Sequence, residues 1–203
     1  LNEAGVKNGI ISKDATSNRE WAFLVTDTNR LRFWVYDQSA TASESRVSDS
    51  GLTTAQVGKW CHVVATYNGV GGSNAGAGIN IYLNGEQVDT GDSDSGTYVA
   101  MENLGQAVII GDNPANADYE LGGSITEASI WSTELSQTEI NELYNDGKAL
   151  DATTHSESSN LKGYWRNNGL ATWSNLDNAG THDGTPTSVT ETLLIPAGVD
   201  GSR

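Results

Sequence analysis

The sequence is poor in several residue types, and each shortage excludes a class of protein. Cys61 is the only cysteine among 203 residues, so an intrachain disulfide is excluded. No apolar run approaches the roughly 20 residues that a membrane-spanning helix needs, so we expect no membrane insertion. Lys and Arg total 11 against 26 Asp and Glu, which gives a formal net charge of -15. Nucleic-acid binding is not expected, because phosphate contacts need clustered basic side chains.

Short β-branched and aromatic segments, bounded by Gly, Asn or Asp, recur along the chain. They predict antiparallel strands joined by tight turns. Asn84 and Gly85 lie between two alternating segments and predict a type I′ hairpin, since both residues tolerate a positive φ. Strands are predicted at residues 21–25, 31–36, 60–67, 79–83, 108–110, 125–131 and 161–166. Residues 39–51 are predicted to be an exposed edge or loop, and residues 90–103 an irregular acidic loop.

One helix is predicted after the strand that ends at residue 131. Ser136 and Glu139 have the spacing of a capping box, and Leu135 and Ile140 that of a hydrophobic staple. Gly147 is the predicted stop of this helix, because glycine readily adopts the left-handed conformation there.

The order of these motifs resembles that of the laminin-G-like domain over residues 11–144. The resemblance rests on Trp-x-His-Val-x-x-Thr-Tyr-Asn-Gly at 60–69, Ile-Tyr-Leu-Asn-Gly at 81–85, and Gly122, Ile125 and Glu127 before the helix. It implies an all-β, two-sheet antiparallel concanavalin A-like β-sandwich (a jelly roll) with one short helix, over residues 1–150. A histidine in the position of His62 is structural in this family, so we expect a packed and hydrogen-bonded side chain.

The ends of the chain carry two further expectations. Residues 151–203 are predicted to form a C-terminal segment that either completes the sandwich or links to a further module. Within it, residues 164–185 resemble segments of bacterial secreted proteins and marine phage virion proteins. The family has one or two strands before the position of Gly9, so we expect a fragment or a processed chain, and the polar end of the chain resembles a linker from a larger parent protein.

Fold alone leaves the function open, because this fold hosts lectins, adhesion modules, hydrolases and structural domains. We expect a non-catalytic extracellular recognition or adhesion module that binds glycan or a cell-surface protein. The alternative is an assembly domain of a virion or secreted fibre, whose partners are virion neighbours or other copies of the chain. A polysaccharide-cleaving enzyme is the least favoured reading. The Glu-x-Asp-x-x-Glu pattern, which places two carboxylates on one face of a strand in related glycanases, is missing.

The candidate ligand contacts are aromatic. In the strand at residues 31–36, Arg32, Trp34 and Tyr36 alternate with apolar residues and therefore share one face. If that face is open, the rings offer a platform for the apolar face of a sugar, flanked by a guanidinium. The alternative, in which both faces of the strand are covered, is favoured. Tyr98 and Tyr119, on predicted loops, complete the set.

Acidic loops supply candidate ligands for calcium, the one candidate cofactor. Calcium prefers carboxylate and carbonyl oxygens, and related domains hold it with loop Asp and Asn side chains. The spacing matches no calcium-loop motif, so solvated turn residues are an equal alternative. The first candidates are Asp112, Asn113, Asp118 and Glu120, and the second are Asp92 and Asp94.

Overall fold

The structure is a computed structural model that describes residues 4–53, 56–95, 97–166, 183–185 and 187. The side chains of residues 90–95 lie outside this description. The chain divides into two compact units, Leu1–Ser124 and Ile125–Arg203. From the sequence we predicted a boundary at residue 150 between a sandwich and a C-terminal segment. The division into compact units does not test that boundary, which stays a prediction.

The first unit consists of antiparallel strands and one 3₁₀ helix, Ala75–Gly78. In chain order the strands are β1 (Asn8–Ala15), β2 (Asn18–Val25), β3 (Leu31–Asp37), β4 (Ala42–Ser48), β5 (Val63–Tyr67), β6 (Ile79–Leu83), β7 (Glu86–Gln87), β8 (Asp89–Ser95) and β9 (Ile109–Ile110). A six-stranded sheet has the order β8-β4-β3-β2-β1-β9, and a three-stranded sheet has the order β5-β6-β7.

The two sheets pack against each other through alternate residues of their strands. Phe23, Val25 and Leu31 of the six-stranded sheet join Ile81 of β6 in one buried cluster. The Phe23 and Phe33 rings meet edge to face within it, with centroids 6.2 Å apart. Each such side chain contributes about 1.5–3 kcal/mol by leaving water. This packing confirms the predicted all-β sandwich of two antiparallel sheets.

The turn between β6 and β7 is the predicted hairpin. Leu83 pairs with Glu86 across it. Asn84 and Gly85 have φ angles of 52° and 84°. Positive φ at both central residues is the requirement of a type I′ turn, so the prediction is confirmed.

Two predicted loops are strands instead. Residues 42–48 form β4, an interior strand between β3 and β8, and residues 89–95 form β8 at the edge of the same sheet. Both strands lack the apolar alternation that identifies a strand in a sequence. The buried polar groups of β4 find partners instead: Arg46 pairs with Asp89 at 2.5 Å, and the Glu44 carboxylate accepts the Gly76 N–H at 3.2 Å.

The second unit contains a two-stranded antiparallel sheet, β10 (Ala128–Trp131) with β11 (Leu161–Trp165), and one α-helix, α1 (Gln137–Tyr144). Short 3₁₀ helices occur at Asn145–Gly147, Ala152–Thr154 and Ser158–Asn160. The predicted strand at 161–166 is therefore present and pairs with a strand of the predicted first domain. Among the described residues, no helix is long and apolar enough to cross a membrane.

Helix α1 begins as the sequence predicts and ends earlier. The Ser136 N–H donates to the Glu139 carboxylate at 2.6 Å, and the Ser136 hydroxyl accepts the Glu139 N–H. This confirms the capping box. The helix stops at Tyr144 because Asn145 adopts the left-handed conformation, with φ 45°, before the predicted stop at Gly147 is reached.

Glu127 precedes β10 and anchors the end of β11. Its carboxylate accepts hydrogen bonds from the Tyr164 hydroxyl and from Arg166 Nε, the latter at 2.7 Å. Its φ is 55°, a conformation that a long side chain adopts only when its surroundings enforce it. Glu127 therefore has a structural role in the second unit.

His62 lies immediately before β5, and the burial of its imidazole agrees with the expected packing, whereas the expected side-chain hydrogen bond stays a prediction. Its backbone N–H donates to the Asn84 side chain at 3.0 Å. Burial of the imidazole lowers the pKa of His62 to about 4. The ring is therefore neutral in the folded protein at neutral pH.

The pKa of His62 predicts a specific loss of stability in mild acid. Between pH 6.5 and 4 the unfolded chain binds a proton that the folded chain does not, so the free energy of unfolding falls by at most about 3 kcal/mol. In the His62→Gln variant this part of the pH dependence disappears. Urea unfolding at pH 7, 6, 5 and 4.5 measures it. Parallel curves for the two proteins would contradict the assignment.

Candidate functional site

The candidate site lies on the face of the six-stranded sheet that points away from the three-stranded sheet. On β3, Arg32, Trp34 and Tyr36 project to this face, whereas Phe33 and Val35 enter the core between the sheets. The predicted alternation is confirmed. We call this the Trp34 face, and its members on β1 to β4 are Ser12, Ala22, Leu24, Arg32, Trp34, Tyr36 and Ser45.

Trp34 is covered rather than openly exposed. Its side chain retains 8% of its accessible surface and packs with Ala22, Leu24 and Tyr119. The alternative favoured from the sequence, in which both faces of the strand are covered, therefore holds for Trp34. Its indole Nε1 is buried without a hydrogen-bond partner in the described part of the chain. A buried donor without an acceptor costs about 1–3 kcal/mol, so this N–H marks a place where an acceptor would be favourable.

Two guanidinium groups flank the Trp34 ring. Arg19 Cζ lies 5.5 Å from the Trp34 centroid and 4.5 Å from the Tyr36 centroid. Arg32 Cζ lies 5.1 Å from the Trp34 centroid. Cations within about 6 Å of an aromatic ring are attracted to its face, so the two arginines and two rings form one cluster.

Arg19 is neutralised by a carboxylate. Its Nε and Nη2 donate to the two oxygens of Asp14, at 3.1 and 3.2 Å, and Asp14 is fully buried. Burial lowers the pKa of Arg19, but the hydrogen bond and charge of Asp14 outweigh it, and the net pKa is raised. Bidentate pairs of this kind fix the plane of the guanidinium, which holds Arg19 over Tyr36.

Arg32 has no such carboxylate. It donates to the Ser45 hydroxyl through Nε at 3.3 Å and Nη2 at 3.0 Å, and among the described side chains it forms no ion pair. Burial lowers its pKa, the nearby Tyr119 hydroxyl raises it, and the charge of Arg19 lowers it again. Among the described residues, the neighbours of this partly desolvated cation are the neutral hydroxyls of Ser45 and Tyr119 and the Trp34 ring.

Tyr119 reaches the Trp34 face from the chain between β9 and β10. The Gly9 N–H donates to the Tyr119 carbonyl at 2.6 Å, which ties this segment to β1. A Cβ on Gly9 would lie 2.5 Å from the Asp112 carbonyl carbon, so only glycine permits this approach. Lys7 Nζ lies 5.4 Å from the Tyr119 centroid and adds a third cation to the cluster.

Tyr98, the remaining predicted aromatic contact, lies on the opposite side of the sheet. It retains 1% of its surface and packs with Val35, Ala42 and Ile79 between the two sheets. Burial raises the pKa of its hydroxyl, which lies 3.5 Å from the Tyr67 hydroxyl. The structure does not bring Tyr98 to the other candidates, because its ring completes the core.

The predicted calcium ligands share the segment that follows β9. Asp112 Oδ1 accepts the Asn113 N–H at 2.6 Å, and Asn113 Oδ1 accepts the Ala115 N–H at 3.1 Å. Asp118 and Glu120 are exposed. Nowhere in the described chain do three His, Cys, Asp or Glu side chains come together as metal ligands. The calcium site at Asp112, Asn113, Asp118 and Glu120 stays a prediction, and the side chains of the second candidates, Asp92 and Asp94, lie outside the description.

The sequence reading missed Asp14 and Arg19. They face each other across the β1–β2 hairpin, with Asp14 paired to Arg19 in the strand register. The available signal was two opposite charges on either side of a Thr-Ser-Asn turn, a spacing at which cross-strand ion pairs occur.

Comparison with known proteins places the chain in a family. A family model described as the concanavalin A-like lectin/glucanases superfamily matches residues 1–141. The chain belongs to this superfamily. No curated protein matches it. As a concanavalin A-like domain, it has the two-layer architecture in which the six-stranded sheet presents one face to the core and the other, here the Trp34 face, away from it.

One solved structure is similar to part of this concanavalin A-like chain. It is an S-layer domain-containing protein (residues 221–444) from Clostridium thermocellum ATCC 27405. The two sequences are 21% identical, the TM-score is 0.32, and the match covers 70% of this chain and 64% of the other. A TM-score this low carries no argument about fold or function.

The Asp14–Arg19 pair predicts a local contribution to stability. Replacing Asp14 by Asn leaves Arg19 without its counter-charge, and we expect the free energy of unfolding to fall by about 1–3 kcal/mol. Denaturant unfolding at pH 7 measures this loss. Asp27→Asn, the same change at an exposed turn, is the control and should stay within about 0.5 kcal/mol. Equal effects of the two variants would contradict the proposed role of the pair.

Proposed function

We propose that the protein is a non-catalytic recognition module that binds glycan through the Trp34 face. The observation that supports this most is the cluster of Tyr36, Tyr119, Arg19 and Arg32, four half-buried side chains around the covered Trp34 ring. When a side chain serves only to stabilise the fold, its buried N–H and O–H groups normally have hydrogen-bond acceptors within the protein. Among the described residues, Arg32 donates only to the Ser45 hydroxyl, so further N–H donors of this half-buried side chain can serve a ligand.

The chemistry of the cluster suits a sugar. A pyranose ring has apolar C–H faces that pack on aromatic rings, and hydroxyls that accept hydrogen bonds from guanidinium and indole N–H groups. Binding sites commonly combine an aromatic lining with a few fixed polar groups. The superfamily to which the chain belongs is named in part for its lectins, which supports this substrate class.

The same superfamily name includes glucanases, so a catalytic alternative has to be weighed. Glycoside hydrolysis needs two carboxyl groups about 5–10 Å apart, one of them free to donate a proton. On the Trp34 face the Asp14 carboxylate is held by both nitrogens of a bidentate arginine, which commits it to charge pairing. A binding role therefore fits these residues better than hydrolysis.

The location and partner follow from the proposed ligand. Glycans that a lectin-like module would bind are found outside cells, on cell surfaces and in extracellular matrices. We therefore place the module outside the cell or on a surface, with a glycan or a cell-surface protein as its partner.

The proposal predicts that glycan binding depends on the Trp34 face. A panel of soluble polysaccharides is tested by affinity electrophoresis, and Kd for each ligand found is measured by calorimetry. Tyr36→Ala should raise Kd roughly tenfold, because it removes an aromatic contact at the centre of the cluster. Trp34→Phe replaces the buried indole by a smaller ring and disturbs its packing with Tyr119, so it should also weaken binding.

The matched control is Trp60→Ala. Trp60 is the exposed tryptophan before β5, with 46% of its surface accessible, and it lies outside the cluster. Its replacement should leave Kd unchanged. Circular dichroism and unfolding curves establish that each variant is folded. If Trp60→Ala reduced binding and the Trp34-face variants did not, the proposed site would be wrong.

The alternative function is an assembly domain, and one observation favours it. Val70 and Val99 are 61% and 62% exposed, on loops joined by the hydrogen bond from the Gly72 N–H to the Val99 carbonyl at 2.9 Å. Exposed apolar residues that lie together often mark protein interfaces. Failure of every glycan to bind, together with concentration-dependent association that Val99→Ser abolishes, would support assembly instead.

Calcium-assisted binding is tested separately. The proposed ligands are Asp112, Asn113, Asp118 and Glu120, and the melting temperature and the glycan Kd are measured with calcium and with EDTA. A ligand that binds only the native state raises apparent stability by mass action. A rise in melting temperature with calcium that Asp112→Asn removes would support the calcium site predicted from the sequence, and equal melting temperatures with calcium and EDTA would contradict it.

A further inference from the structure

We propose that the protein forms an intramolecular isopeptide bond between the side chains of Lys13 on β1 and Asn103, with Glu20 on β2 as the proton carrier. None of the three residues belongs to the Trp34 face, so this modification site is independent of the proposed glycan binding. Lys13 Nζ donates to the Glu20 carboxylate at 2.6 Å and to the Asn103 side-chain carbonyl at 2.8 Å. An amine, a carboxylate and a carboxamide thus meet at one nitrogen atom.

The amine and the carboxylate are largely enclosed by the protein. The Lys13 side chain retains 19% of its accessible surface and the Glu20 side chain 3%. Lys13 is the Cα partner of Trp21 across the β1–β2 hairpin, and residues directly opposite each other share a face of the sheet. Trp21 packs against the core cluster that contains Val35 and Ile79. The stem of Lys13 therefore runs beside apolar groups, and its Nζ is shielded from most of the solvent.

The position of Glu20 suits a proton carrier. Its Oε2 faces Lys13 Nζ, and its Oε1 accepts the Leu104 N–H at 3.0 Å. Because Leu104 directly follows Asn103, the same hydrogen bond orients the carboxylate and holds the Asn103 backbone beside Lys13. A nucleophile within hydrogen-bond reach of a base, with the base oriented by a third group, is the usual arrangement of an activated nucleophile.

The Asn103 amide supplies the carbon that the amine attacks. The lysine head group carries N–H donors, so the amide atom that faces it is the oxygen, and the amide nitrogen is the group that leaves. Since a C=O bond is about 1.2 Å long, the amide carbon lies at most about 4 Å from Nζ. That distance is close to the 3–3.5 Å, roughly, from which bonds form, and holding reactants so near replaces a very high concentration of either. Asn103 is exposed, so the released ammonia has a path to solvent.

The reaction needs no further reactant. Glu20 takes a proton from the Lys13 ammonium, and the electron pair of the resulting amine forms the bond from Nζ to Asn103 Cγ. As the Cγ–Nδ2 bond breaks, its electron pair stays on Nδ2, which receives the proton from Glu20 and a second proton from Nζ. The products are a secondary amide between the two side chains and an ammonium ion, and the Glu20 carboxylate is restored.

The cross-link encloses residues 14–102, and with them strands β2 to β8, in one covalent loop. The chain has a single cysteine, Cys61, and so cannot form an intrachain disulfide. Closing a long loop of the unfolded chain is the way in which disulfides stabilise many extracellular domains. The isopeptide bond gives this chain the same kind of constraint without a second cysteine.

Intact mass and a single chemical cut test the cross-link. The full chain is purified, kept folded at pH 7 for several days and weighed by mass spectrometry. We expect a chain lighter by about 17 Da, the mass of the ammonia released. Met101 is the one methionine, so cyanogen bromide cuts the chain once, between Lys13 and Asn103. The cross-linked chain then stays one band on a denaturing gel, whereas the unlinked chain gives two fragments.

Variants of the amine and the amide assign the two ends of the bond. Lys13→Arg keeps the charge and the hydrogen-bond donors but removes the nucleophilic amine, so it should abolish the cross-link. Asn103→Ala removes the carbon that is attacked and should abolish it as well. Lys148→Arg, the same change at an exposed lysine after α1, is the control and should cross-link as the unaltered chain does.

A variant of the carboxylate tests the proton carrier. Glu20→Gln keeps an oxygen for the Leu104 N–H but cannot carry a proton, so it should slow formation of the bond by about a hundredfold or more. Glu86→Gln, the same change at an exposed position, should leave the rate unaltered. The rate is followed from the first hours after purification as the fraction of chain that survives the cyanogen bromide cut as one band.

Each outcome supports or overturns the proposal. Two fragments from the unaltered chain would overturn it, even with a lower mass, because ring closure at an Asn-Gly pair also releases ammonia but joins no distant residues. Cross-linking of Lys13→Arg or Asn103→Ala would overturn the assignment of the bond, and an unaltered rate in Glu20→Gln would overturn the role of Glu20. If Glu20→Gln did not fold, the mass and fragments of the unaltered chain would still decide. No readout involves a glycan, so the failure of either proposal leaves the other in place.

Discussion

A buried carboxylate joins the two sheets of the first unit. Asp89 is fully enclosed and accepts hydrogen bonds from Arg46 Nε on β4 and from the Ile81 N–H on β6, each at 2.5 Å. A charge buried this deeply is stable only when it is paired, so β4 cannot shift along β3 without leaving an ion unpaired. Ser45, the neighbour of Arg46, consequently lies on the opposite face of β4 and receives Arg32. An ion pair in the core thus determines where a guanidinium lies on the other side of the sheet.

Strands that alternate in polarity were predictable from the sequence, and strands without that alternation were not. In β3 the period of two separates Phe33 and Val35 from Trp34 on the basis of sequence alone, because the core side must be apolar. In β4 the core side carries Glu44 and Arg46, so the strand resembles a loop. Its charges become acceptable only through partners distant in sequence, such as the Gly76 N–H and Asp89. These partners cannot be identified from the local sequence pattern of the strand.

The site was predictable to the same extent. Arg32, Trp34 and Tyr36 lie on one strand, so their common face follows from spacing alone. Tyr119 and Tyr98 both come from chain outside the central strands, and the sequence does not indicate that one ring turns to the Trp34 face and the other to the core. Packing decides this: the space between the sheets beside Val35 and Ala42 is filled by Tyr98, while the close approach of the backbone at Gly9 carries Tyr119 to the other side.

Strand β3 serves the core with one set of residues and the candidate site with the other. Insertion or deletion of a single residue within it would exchange the two sets and move Trp34 into the space of Phe33. The strand therefore tolerates substitution on the Trp34 face but not a change of length. The segment that carries Tyr119 lies outside the strands and is tied to β1 at Asn8 and Gly9. Diversification of ligand preference in this scaffold should accordingly proceed through changes in length and sequence of that segment, with the β3 strand kept as a fixed platform.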